Sequence, residues 1–147
     1  MRKILLGCLF LLISSIVYGQ VIQLHKKETG VFYVNCKING IPLEFVFDTG
    51  ANDVILSNIE FGFLIKQGYI TNEDMIGSQY YMTATGQTDT AKTFIIRRLE
   101  IDGIVVENIN ASVINNNEAP LLLGLTALEK LGIFIVDFEK GIIKLKN

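Results

Sequence analysis

The chain has 147 residues, half of them hydrophobic, with 13 Lys and Arg against 15 Asp and Glu and a single His. That length suits one domain. A net charge of −2 offers no basic footprint for nucleic acid, and one His with two Cys cannot build an ordinary zinc site.

The N-terminus explains much of the apolar content. Arg2 and Lys3 form a short positive start, Ile4 to Val17 is almost wholly apolar, and Val17-Tyr18-Gly19 places small or modest residues before Gln20. This is the layout of a secretory signal peptide over residues 1–19, and the apolar run is short for a membrane span. It predicts an exported protein, periplasmic or extracellular, whose domain occupies residues 20–147. Membrane attachment arises only if the segment stays uncleaved. Cys8 would leave with the signal, so Cys36 has no intrachain partner. An exported domain without disulfides must rely on its core and on association with other copies.

Beyond Gln20 the elements follow in order. Val31 to Ile38 is rich in β-branched and aromatic residues, Asn39-Gly40 is a strong hairpin signal, and Ile41 to Phe47 returns. That strand runs straight into Asp48-Thr49-Gly50-Ala51, and Val54-Ile55-Leu56 forms another short apolar stretch. Ser57 with Glu60 has capping-box spacing, Phe61, Leu64 and Ile65 supply an apolar face, and Gly68 can end the helix. Tyr69 to Ile76 reads as polar and irregular. Tyr80 to Thr83 and Thr93 to Ile96 flank Ala84-Thr85-Gly86-Gln87, a predicted hairpin tip. Asp102-Gly103 turns Leu99-Glu100-Ile101 back into Ile104-Val105-Val106, and Asn115 to Asn117 is a polar loop. Leu121 to Gly124 reads as a buried strand, Thr126 to Leu131 as a short helix closed by Gly132. Ile133 to Phe138 and Ile142 to Leu145 are the last strands, joined around Gly141. About nine short strands and one or two short helices predict an all-β fold, a barrel or sandwich.

Asp48 is the candidate for chemistry. Phe45-Val46-Phe47 delivers an acidic side chain to a strand end, where a carboxylate beside apolar neighbours is costly unless hydrogen-bonded. Gly50 allows the backbone to come close and donate to it, and Thr49 adds a hydroxyl. A plain strand-end turn uses the same residue types.

Apolar-apolar-Asp48-Thr49-Gly50-Ala51 resembles the active-site motif of retropepsin-like aspartic peptidases. Two further segments resemble that family in the same order. Thr83-Ala84-Thr85-Gly86 is similar to the tip of its flap hairpin, and Leu122-Leu123-Gly124 to the apolar-apolar-Gly motif behind the active-site loop. The helix after Ser57 and the hairpin around Glu139-Lys140-Gly141 resemble exported bacterial members, and the likeness spans nearly all of residues 28–147. It implies a retropepsin-like acid-protease barrel with one half-site per chain. Asp53, Asp74, Asp89, Asp102 and Asp137 all lack a following Thr or Ser and Gly. The resemblance therefore implies a homodimer in which paired Asp48 carboxylates activate a water that hydrolyses a peptide bond. Thr49 would bond across the axis, Gly50 would shape the loop, and Ala51 would line the cleft floor. Thr83, Ala84, Thr85 and Gly86 would close over a peptide or protein substrate, while Leu122, Leu123 and Gly124 would support the site. No cofactor or metal is implied. The alternative is an inactive retropepsin-like module that binds a peptide or protein without cutting it.

Two departures stand out. The flap tip has one glycine where viral flaps have several, and the stretch from Asp48 to the flap is longer. Ile142-Ile143-Lys144-Leu145 can serve as a dimer-forming strand or as an ordinary closing strand. His25 reads as solvent-facing and Cys36 as a small core filler. Asn110-Ala111-Ser112 matches a glycosylation sequon.

Overall fold

The computed structural model describes residues 19–83 and 85–146. The predicted signal segment, apart from Gly19, and flap residue Ala84 lie outside the described residues.

The first hairpin follows from its turn. Phe32–Ile38 (β3) pairs with Ile41–Phe47 (β4) in the register Ile38 to Ile41, leaving a two-residue loop. Asn39 and Gly40 take φ values of 47° and 93°, the left-handed pair that such a turn requires. Alternation along β3 sends Val34, Cys36 and Ile38 inward. Cys36 is buried, and that burial, with the Asp102 charge as a lesser cause, pushes its thiol far above the ordinary range. It is a core filler, and His25 is exposed, as expected.

Val54–Ser57 (β5) leads into a helix at Asn58–Lys66 (α1). The Ser57 hydroxyl accepts from the Ile59 amide at 3.1 Å and donates to the Glu60 carboxylate. Phe61 and Leu64 turn inward, and the Phe61 ring lies 5.0 Å from that of Phe94.

The stretch read as irregular is more ordered than its composition suggests. A 3-10 turn at Asn72–Asp74 precedes Met75–Met82 (β6), which pairs with Thr88–Ile101 (β7). A break in register between Met75 and Gly77, with Gly77 at φ 149°, interrupts the alternation that would have revealed the strand. Ile104–Ile114 (β8) returns from β7 across Asp102-Gly103, both at positive φ. Leu122–Leu123 (β9), a helical turn at Leu125–Leu128 (α2) with a 3-10 extension to Leu131, Phe134–Asp137 (β10) and Ile142–Leu145 (β11) complete the chain. Val21–Gln23 (β1) and His25–Lys26 (β2) are strands whose partners lie far along the sequence.

Eight strands form one sheet in the order β2-β3-β4-β9-β5-β8-β7-β6, and an added β3–β7 pairing curls it back on itself. This is the all-β barrel that the pattern predicts. Phe45, Phe94, Ile96, Leu99, Ile101 and Leu123 are fully enclosed within it. The other sheet is β1-β11-β10. Its central strand β11, the candidate for a dimer strand, is hydrogen-bonded on both sides by its own chain. It serves here as a closing strand.

Candidate active site

Asp48 stands at the end of β4, where the barrel wall meets a tight loop. Its carboxylate Oδ1 accepts the Gly50 amide at 2.8 Å. A Cβ on Gly50 would lie 3.1 Å from that same oxygen, which is why glycine suits the position. The Asp48 amide donates to the Leu123 carbonyl at 3.3 Å. Asp48 is half-buried, whereas Thr49 and Gly50 are exposed and the Thr49 hydroxyl has no hydrogen bond among the described residues.

The loop is held from behind. Leu122 and Leu123 form a parallel pairing with Val46 and Phe47, and Leu122 also meets Ile55, so β9 wedges between the strands on either side of Asp48. The first turn of α2 then supplies free amides: Leu125 donates to the Ala51 carbonyl at 2.9 Å and Thr126 to that of Asn52 at 2.8 Å. The Thr126 hydroxyl accepts from the Val54 amide and donates to the Asn110 carbonyl. Gly124 lets these segments touch. A Cβ there would collide with the Asp53 carbonyl and stand 2.7 Å from that of Ala51. Leu122, Leu123 and Gly124 thus lie directly behind Asp48-Thr49-Gly50-Ala51.

The β6–β7 hairpin carries the predicted flap tip. The Thr83 amide donates to the Gln87 carbonyl at 2.8 Å, the Gly86 amide to that of Thr83 at 2.9 Å, and Gly86 takes φ 83°. The Thr83 and Thr85 hydroxyls are 2.8 Å apart. Between this hairpin and the Asp48 loop lies a cavity of about 450 Å³, bounded by Gly50, Ala51, Ile55, Tyr81, Met82 and Ile114 among others. A separate open groove of about 510 Å³ over Lys37, Leu43 and Gly103 includes no residue of the Asp48 loop.

Sequence reasoning passed over three residues of the cleft wall. Asp53 Oδ2 accepts from the Ser112 hydroxyl at 2.5 Å and from the Gln79 carboxamide at 2.5 Å, and Gln79 also reaches Ser112 Oγ at 2.9 Å. They come from the start of β5, from β8 and from β6. Asp53 was set apart for lacking the Thr-Gly that follows Asp48, and Ser112 stood out only within a sequon.

Comparison with known proteins agrees with this architecture. The family model for gag-polyprotein aspartyl proteases matches residues 34–130, from β3 to the 3-10 extension of α2. A curated relative, Uncharacterized protein RP867 of Rickettsia prowazekii (strain Madrid E), is 30% identical over 119 residues, covering 81% of this chain and 48% of that protein. The chain spans about half the length of that relative. Among solved structures, a retropepsin-like aspartic protease from Rickettsia conorii superposes with a TM-score of 0.65 at 26% identity, covering 86% of this chain and 98% of that one. With the family match spanning both the Asp48 loop and the strand behind it, this chain belongs to the retropepsin-like, gag-polyprotein aspartyl protease family.

Proposed function

We propose that the protein is an aspartic-type endopeptidase whose active unit is a homodimer. The observation that carries this reading is the setting of Asp48. Its carboxylate is fixed by the Gly50 amide on a loop braced by β9 and α2, next to a cavity under a flap-like hairpin. One chain contributes one such carboxylate. Two Asp48 side chains meeting at a two-fold axis would be unable to ionise together cheaply and would share a proton. The ionised member then takes a proton from water while the protonated member donates to the substrate carbonyl, and the peptide bond breaks through the resulting tetrahedral adduct. Thr49, exposed and with no side-chain hydrogen bond among the described residues, would bond across that axis. An extended peptide would lie beneath Thr83 to Gly86 and hydrogen-bond the hairpin backbone. Residues 20–147 would form the exported peptidase domain, a reading supported by the charged start and apolar run before Gln20.

The test is cleavage of an unbiased peptide library between acidic and neutral pH by wild type and Asp48→Asn. Cleavage that vanishes in the variant, with folding and association kept, is the expected result. Equal cleavage by both would sink the proposal. Peptide binding without cleavage by a stable dimer would point instead to an inactive binding module.

A further inference from the structure

Resting on the peptidase reading, we propose that the cleft selects peptides carrying lysine or arginine close to the bond cleaved, and that Asp53 is the residue that reads the cation. Strand pairing explains how Asp53 comes to line the cavity. Ser112 on β8 stands opposite Ile55 on β5, and Asp53, in the bend just before β5, reaches the Ser112 hydroxyl from there. Gln79 on β6 is paired with Ala91, whose small side chain leaves room for the carboxamide to cross β7 and reach both Ser112 and Asp53.

The result is a fixed carboxylate with spare capacity. Both of its hydrogen bonds fall on Oδ2, from neutral donors, and Oδ1 accepts none among the described residues. No Lys, Arg or His side chain forms an ion pair with Asp53 among the described residues. Nor does any such residue line the 450 Å³ cavity or the two smaller or shallower spaces that adjoin it at Gln79 and Tyr81. The charged side chains there are Asp53 and Asp89. Ile55 and Ile114, both partly exposed, line the same cavity and offer apolar surface to a long aliphatic stem. A cavity with apolar wall on one part and a positioned carboxylate on another fits a side chain with a methylene stem and a cationic head.

Uncleavable peptides with a reduced scissile bond test this independently of catalysis. Each position near that bond would carry either lysine or norleucine, and binding to the purified protein would be measured by fluorescence anisotropy at low and high salt. One position should favour lysine by about tenfold at low salt, as expected for a charge-assisted hydrogen bond. That ratio should fall to near one in Asp53→Asn, which keeps the shape, and in Gln79→Lys, which supplies the cation internally. If no position favours lysine, or if the preference survives in both variants, the proposal is wrong. Cleavage by wild type and Asp48→Asn, followed in parallel with the ordinary amides, separates the two readings. Activity retained in Asp48→Asn overturns the catalytic assignment alone, whereas a lysine preference that is absent from wild type, or that survives in both variants, overturns only the role of Asp53.

Discussion

Gly124 shows how much of the site depends on a missing side chain. The residue sits where β9 ends and α2 begins, and the loop carbonyls of Ala51 and Asp53 occupy the space a Cβ would need. These are backbone atoms of the loop that carries Asp48, so they cannot rotate away. Gly124→Ala should therefore cost about 3 kcal/mol or more in stability and displace the Asp48 loop. Denaturant unfolding would measure it, and a change below about 1 kcal/mol would show that the loop yields more easily than its hydrogen bonds suggest. Asp48, Gly50 and Gly124 were legible in the sequence because each carries a local signature: an acid at the end of an apolar strand, or a glycine after apolar residues. Asp53, Gln79 and Ser112 were not. They come from the bend before β5, from β6 and from β8, and only the pairing of strands distant in sequence brings them within hydrogen-bond distance.

Among the elements, the hairpins were the most readable, since Asn39-Gly40 and Asp102-Gly103 adopt the left-handed conformations that their residue types tolerate. Strands β1 and β2 offered no such sign, because each is only a few residues long and takes its pairing from distant segments. The first half of β6 was hidden by the irregularity at Gly77, and the turn before it hides an ionic anchor. Asp74 is almost wholly buried, accepting from the Thr71 amide and hydroxyl and from the Arg97 guanidinium on β7. Burial alone would raise its carboxyl, but the Thr71 and Arg97 contacts outweigh it and hold the group below its ordinary value. A depressed carboxylate contributes stability above its unfolded value, near pH 4, and loses it as pH falls through the folded value. Asp74→Asn should thus lower stability by roughly 2 kcal/mol at neutral pH and by less at pH 3. Thermal unfolding at both pH values checks this; an equal loss at each would assign the effect to packing.

At the scale of the molecule, the chain is a closed barrel, and on the proposed reading it carries half a site. The all-β class follows from the regular spacing of short strands and turns, and the retropepsin-like likeness became legible once three weak motifs were seen in order. The candidate strand β11 is already paired on both edges, so association through that strand would require one of its own partners to leave. The exposed Thr49 and the single Asp48 still argue that one copy cannot work alone. Mixing wild type with Asp48→Asn at constant total concentration, after full subunit exchange, tests this most directly. If both carboxylates are needed, an equal mixture should retain about one quarter of the wild-type rate, because only that share of randomly formed dimers holds two Asp48 side chains. A rate of about one half, falling in proportion to the wild-type fraction, would mean that each chain carries a complete site and would contradict the half-site account.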